Sequence, residues 1–340
     1  MSKVICFGEI MLRLSPPGYQ RFEQAGSFDI IYGGGEANVA VSLAGFGIDT
    51  AFITKVPDNP IGQSALNELR RYGVETQNIL RGGDRLGVYY LEKGASQRPS
   101  KVVYDRGHSS VSEADPSEYN WEDIFAGSSW FHFTGITPAL GEHARAALLE
   151  GCKCAKSLGV KISCDLNYRK NLWSTEEANK TMSELMDFVD ICIANEEDAE
   201  KVFGIRAEGT DVTEGMLNYS GYKDVARKLA DEFNFTKVAI TLRESLSAND
   251  NNWAAMLYDG DEYHFSEKYP VHIVDRVGGG DSFAAGLIYG ELSGMSSGDA
   301  LEFAVAASCL KHSIEGDANH VSVSEVKSLM QGNSSGRVIR

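Results

Sequence analysis

Short apolar runs alternate with longer stretches of helical periodicity along most of this chain, which predicts strands followed by helices. The run at 4–8 ends in Gly-Glu and reads as a first buried strand. Val39, Leu43 and Phe46 fall on one helical face, and a strand is expected over 51–56. A helix over 60–72 has Ile61, Leu66 and Leu69 as its apolar positions and stops at Gly73. From Trp130 the alternation becomes regular. Strands at 130–135, 160–167 and 191–195 are each followed by a helix, at 142–158, 175–188 and 196–203. A helix over 225–232 leads into a strand at 237–242, and 253–258 with 262–265 reads as a hairpin. Three helices close the chain, to Leu292, over 298–312 and from Ser324. The pattern predicts an α/β fold with a mostly parallel sheet covered on both faces. Two pieces do not fit such a core. Residues 11–31 are irregular and contain Pro16, Pro17 and Gly18, and 86–106 reads as a hairpin of two strands. Residues 207–222, rich in Gly and Thr without periodicity, read as an inserted surface loop, and the end from Gly332 is expected to fray.

Chemistry concentrates where helices begin. Gly278, Gly279, Gly280 and Asp281 precede the run Phe283, Leu287, Ile288 and Leu292. Glycines let backbone N–H groups approach a ligand, and a helix starting there adds unpaired donors and a positive dipole end. That combination binds anions, phosphate above all, while a plain turn with Asp281 or Ser282 as helix cap is the alternative. No Gly-Lys-Ser/Thr follows, which excludes a P-loop, and Phe283 stands where a dinucleotide fingerprint needs its third Gly. A carboxylate beside a phosphate is unfavourable unless it does chemistry, such as taking a proton from an attacking hydroxyl. A second Gly-rich helix start, Gly33-Gly34-Gly35-Glu36-Ala37-Asn38, points to a site for two ligands. Polar residues also gather at strand ends: Asp165, Asn167 and Arg169, then Asn195 to Asp198, then Thr241 and Arg243. Tyr89, Tyr104 and Arg106 can line a polyol or acid pocket, or pack as cross-strand aromatics beside a solvated Arg.

The net charge of −16 argues against a nucleic-acid partner, because backbone binding needs a basic face, yet it permits a locally basic pocket. The six cysteines form no CxxC pair or zinc-spaced cluster and read as buried free thiols suited to a reducing cytoplasm. The N-terminus reads as a strand rather than a signal peptide, and no apolar run reaches membrane-spanning length.

The two Gly-rich motifs, in this order and separation, resemble those of the ribokinase-like (PfkB) carbohydrate kinases over nearly the whole chain. The C-terminal one, 275–283, corresponds to the family's Asp-Thr-x-Gly-Ala-Gly-Asp. Within the family, residues 87–90, 104–106, 135–140 and 165–169 with Leu172 and Trp173 resemble the 2-keto-3-deoxygluconate kinases. The resemblance implies a single ribokinase-like three-layer domain over 1–340, with a small β lid built from 11–31 and 86–106. It implies ATP-dependent phosphorylation of the terminal (6-) hydroxyl of a sugar acid, with Mg²⁺ and a homo-oligomer whose lids pair between subunits. Asp281 would be the base, with Gly278, Gly279 and Gly280 around the transferring phosphate. Gly34, Asn38, Tyr89, Tyr104, Arg106 and Arg169 would hold the sugar acid. Asn167, Asn195, Thr241, Arg243, Gly278, Gly280 and Asn319 would face the nucleotide. A carboxylate suits an Arg fork and a Tyr hydroxyl, with pairing of either Arg to Asp105 or Asp165 as the alternative.

The sequence also departs from the family. Asn195-Glu196-Glu197-Asp198 has Asp where many relatives carry the second acid of a magnesium-linked motif, so Glu197 or Asp198 would act through water. Arg276 replaces a common Thr, which leaves open a monovalent-cation site near Asp275, and the 241–246 loop lacks the usual glycines. The rival functions are a neutral-sugar or nucleoside kinase (for fructose, ribose or adenosine), a non-catalytic sugar-acid-binding regulator and, more distantly, a nucleotide-dependent dehydrogenase.

Overall fold

The fold is that of a computed structural model, which describes residues 2–195, 197–206 and 219–333. A large sheet runs in the order Tyr263–Phe265, Asp250–Tyr258, Lys237–Ser245, Ile191–Asn195, Lys161–Asp165, Ser128–Thr134, Lys3–Phe7 and Asp49–Ile53. From Lys237–Ser245 to Asp49–Ile53 neighbouring strands are parallel, and Asp250–Tyr258 is antiparallel to its partners. Along Lys3–Phe7 the side chains alternate between two cores: Val4 and Cys6 enter one, Ile5 and Phe7 the other. Helices Gly35–Gly45, Pro60–Arg71, Gly279–Leu292, Ser297–Lys311 and Val323–Met330 cover the first face. Trp121–Phe125, Glu142–Ser157, Thr175–Met186, Asp198–Phe203 and Tyr219–Phe233 cover the second. This is the α/β architecture that the alternation predicts.

The misfit segments form a second sheet, ordered Asp29–Gly33, Met11–Ser15, Gly87–Glu92, Lys101–Asp105. Its outer strand, Lys101–Asp105, is exposed at every residue. Its inner strands carry Met11, Tyr89 and Leu91 into a small core of their own.

Several boundaries differ from the pattern. The strand expected over 51–56 is Asp49–Ile53 followed by the short Lys55–Val56. The helix expected over 225–232 starts at Tyr219, so the last residues of the expected 207–222 loop are helical; 207–218 lie outside the described residues. So do 334–340, most of the tail expected to fray. Helix Trp121–Phe125 and strand Tyr269–His272 carry no clear periodic signal because they are short. All six cysteines are free, and Cys6, Cys164 and Cys192 are buried as expected.

Candidate active site

The parallel strands deliver Glu9, Thr134, Asp165, Asn195 and Thr241 to one edge of the sheet, where the second sheet faces them across a cavity of about 460 Å³. Helix Gly279–Leu292 points its N-terminus at this cavity. Its apolar residues are buried all round, with Phe283, Ala284, Leu287 and Ile288 in the core, so the helix start has little freedom to shift. Gly286 and Gly290 bring it against Ser297–Lys311, since a Cβ at either would stand 2.6 Å from Ala304 or Ala300. Gly278 is left-handed at φ 80°, and a Cβ there would stand 1.7 Å from the Asp317 carbonyl oxygen. The first intrahelical bond runs from the Ser282 N–H to the Gly278 carbonyl at 2.9 Å, so the N–H groups of Gly279, Gly280 and Asp281 precede it. These are the donors on which the expected anion site would rest.

Asp281 lies in the first turn of that helix and lines the cavity. Asn38 Nδ2 donates to its Oδ2 at 2.7 Å, while Asn38 Oδ1 accepts from the Gly34 N–H at 3.3 Å. The two Gly-rich helix starts, 243 residues apart in sequence, therefore meet at this carboxylate. A Cβ on Gly34 would stand 1.9 Å from the Glu9 carbonyl oxygen, which explains that glycine. Burial pushes the Asp281 pKa up to about 7; the Asn38 hydrogen bond opposes the shift, and the Glu36 and Asp317 charges add to it. Glu36 is itself buried and accepts from Thr134 and Thr137, so it braces the strand end. Asp165 is pushed well above the ordinary range by burial and by the Asp198 and Asp281 charges, and the Arg169 guanidinium works against this. Its carboxylate accepts from the Asn167 N–H at 3.2 Å and has no bonded cation among the described residues.

The cavity brings together Gly34, Asn38, Tyr89, Tyr104, Arg106, Asn167, Arg169, Asn195, Thr241, Arg243, Gly278, Gly279, Gly280 and Asp281. Asn319 is not among its lining residues. It is buried and donates to the Ser282 hydroxyl at 2.8 Å, so it braces the helix start from behind. Glu197 is exposed outside the cavity lining, and the Asp198 carboxylate accepts from the N–H groups of Tyr168 and Asn195, both at 3.2 Å. Asp198 still lies close enough to the cavity-lining Asp165 for its charge to act on that carboxylate. Two further groups are already engaged. The Tyr89 hydroxyl donates to Asp317, and Arg106 forms a two-nitrogen pair with Glu9, neither Asp105 nor Asp165 being its partner. Arg169 hydrogen-bonds the Tyr168 carbonyl at 3.4 Å and is exposed to the cavity, with no paired acid among the described residues. Arg276 also lines the cavity and bonds the Ala248 carbonyl at 3.0 Å. Its place two residues before Gly278 is the sequence signal for that position. Glu9 carried no signal, being 97 residues from Arg106. Arg106, Arg169, Arg243 and Arg276 gather in this pocket together with Asp165, Asp281 and Asp317, and Arg106 is already paired with Glu9.

The model of the pfkB family of carbohydrate kinases matches residues 1–322. The chain is 32% identical to the 2-dehydro-3-deoxygalactonokinase of Haloferax volcanii over 335 residues, 98% of each chain. It is 28% identical to the 2-dehydro-3-deoxygluconokinase of Bacillus subtilis, over 92% of this chain and 90% of that one. The crystal structure of the Thermotoga maritima 2-dehydro-3-deoxygluconokinase superposes with a TM-score of 0.94 at 53% identity, covering 97% of this chain and 98% of that one.

Proposed function

From a chain that belongs to the pfkB family of carbohydrate kinases, we propose an ATP-dependent sugar-acid kinase acting on the terminal (6-) hydroxyl of 2-keto-3-deoxygluconate. One observation carries the reading: a buried carboxylate, its pKa raised to about 7, stands at the glycine-rich helix start in a cavity that also holds the Arg169 guanidinium, unpaired among the described residues. The gluconate rather than the galactonate form is supported by the greater identity to the Thermotoga maritima protein.

Asp281 accepts the proton as the substrate hydroxyl oxygen bonds to the γ-phosphorus and the bond to the ADP oxygen breaks. The N–H groups of Gly279, Gly280 and Asp281 face the charge that develops on the transferred group. Asn38 fixes the carboxylate and keeps it partly ionised near neutral pH. Arg169 holds the substrate carboxylate, and Tyr104 and Arg106 close that side from the second sheet. Thr241, Arg243 and Arg276 flank the nucleotide end, and the second sheet acts as a lid that excludes water. Among the described residues no three His, Cys, Asp or Glu side chains converge as a metal site. That composition fits Mg²⁺, which takes one or two carboxylates and completes its shell with water and phosphate. Asp165 would hold it, being beside Gly280 and without a bonded cation among the described residues. When bound, Mg²⁺ neutralises phosphate charge.

Arg169→Ala tests the substrate side. Loss of a charge-assisted hydrogen bond worth about 1.5–3 kcal/mol is expected to raise KM for the sugar acid by about 10–100-fold. KM for a neutral analogue should change less than about twofold. Equal effects on both substrates would sink the carboxylate assignment.

A further inference from the structure

Lys311, the last residue of helix Ser297–Lys311, is 0% exposed and forms no ion pair within salt-bridge distance among the described residues. Its Nζ donates to the backbone carbonyls of Gly316 at 2.7 Å, Asp275 at 3.2 Å and Ile314 at 3.5 Å. An ammonium has three donors and here meets three carbonyls, whereas a neutral amine would leave one carbonyl unpaired. Convergent backbone carbonyls are also how proteins hold a dehydrated potassium ion. The carbonyls sit under the anion loop. Asp275 opens the stretch leading to Gly278, and Gly316 precedes Asp317, whose carbonyl oxygen lies against Gly278. The surrounding charges are balanced without an added ion: Arg13 pairs with Asp275 at 2.7 Å and with Asp317 at 2.5 Å. Burial lowers the Lys311 pKa, and the Asp275 and Asp317 charges act in the opposite direction.

We infer that Lys311 is a built-in cation: its ammonium fills the carbonyl cage of Asp275, Ile314 and Gly316 and holds the Gly278 loop in its phosphate-binding shape. A monovalent metal ion does not fit this cage as well, and turnover does not depend on one. Lys311 acts through the loop and is a positioning residue. The inference rests on the phosphoryl-transfer reading, but part of its test does not.

The test compares the wild-type protein with Lys311→Ala and Lys311→Met, in tetramethylammonium buffer and with about 100 mM sodium, potassium or ammonium added. Wild-type kcat should vary less than about twofold across these salts. Lys311→Ala should lose about 10–100-fold in kcat, the scale of a loop misplaced by about 1 Å. Potassium or ammonium should restore at least about fivefold and tetramethylammonium nothing, since only the smaller ions fit the vacated space. Lys311→Met keeps the stem that fills the space and should be impaired without rescue. In parallel, potassium or ammonium should raise the Tm of Lys311→Ala, through binding to the folded state, and leave that of the wild type unchanged. Potassium stimulation of the wild type overturns the proposal. So does an alanine variant that is fully active in tetramethylammonium, or one that no small cation rescues or stabilises. Failure of that variant to fold even in ammonium counts the same way. If the wild type transfers phosphate to no sugar, the kinase reading fails, and the Tm comparison still decides the role of Lys311.

Discussion

Replacing Asp281 with alanine is expected to lower kcat by about 10²–10⁴-fold, the usual contribution of a positioned general base, with the fold retained. The carboxylate is in the first turn of helix Gly279–Leu292 and lines the cavity, where the proposed reading puts it beside the transferred phosphate. Asp165, the nearest alternative, is pushed well above the ordinary carboxylate range and is held by the Asn167 N–H. The pH dependence follows from the same group. A base works only when ionised, so kcat/KM should rise with pH through about 7 and level off above it. Asn38 donates to the ionised form and lowers the pKa; Asn38→Ala should therefore move this limb to higher pH. The stability effect has the opposite sign. A carboxyl whose folded pKa lies above its unfolded value favours folding most below about pH 4, and that contribution is lost as pH rises through about 7. Asp281→Asn should accordingly be at least as stable as the wild type at pH 8 by thermal unfolding, which separates lost chemistry from lost structure. Near-normal turnover in purified Asp281→Ala would show that the base lies elsewhere.

Arg13→Met is expected to destabilise the protein by about 3–5 kcal/mol, the cost of stranding buried charges. Arg13 projects from strand Met11–Ser15 of the second sheet and is 0% exposed. Its guanidinium reaches Asp317 at 2.5 Å, Asp275 at 2.7 Å and the Ser15 hydroxyl at 2.8 Å. Burial acts to lower the Arg13 pKa, and the Asp317 and Asp275 charges outweigh it. Methionine fills similar volume but leaves the two buried carboxylates with only Lys311 and Lys93, the latter 4.0 Å from Asp275, as neighbouring cations among the described residues. Urea unfolding should show a lower midpoint at an unchanged slope. A change below about 1 kcal/mol would mean that the pair contributes no more than a surface salt bridge.

The fold was legible because both faces of the large sheet are buried, so its strands read as apolar runs between amphipathic helices. The site was legible where glycines do something no other residue can. Gly34 and Gly278 mark places where a Cβ would meet the backbone of Glu9 or Asp317, and such positions leave a local signature. Partnerships across the fold leave none. Arg13 meets Asp275 and Asp317 from 262 and 304 residues away, and Lys311 reads along the chain as an ordinary basic residue at a helix end. The same limit explains Tyr89 and Arg106. Their residue types suit a sugar acid, but nothing local announces Asp317 and Glu9 as competing partners. Asn319 bonds the Ser282 hydroxyl of the motif helix and is not among the cavity-lining residues, a distinction that periodicity cannot resolve.

The most direct measurement is ADP release from ATP by the purified protein, coupled to a spectrophotometric readout, across a substrate panel. The panel sets 2-keto-3-deoxygluconate and its galactonate epimer against fructose, ribose and adenosine. The account predicts ATP-dependent turnover with kcat/KM for the keto-deoxy acid at least about 10²-fold above that for any neutral substrate. A neutral sugar or nucleoside that matches or exceeds the acid, or the absence of ATP-dependent product from every substrate, would contradict it.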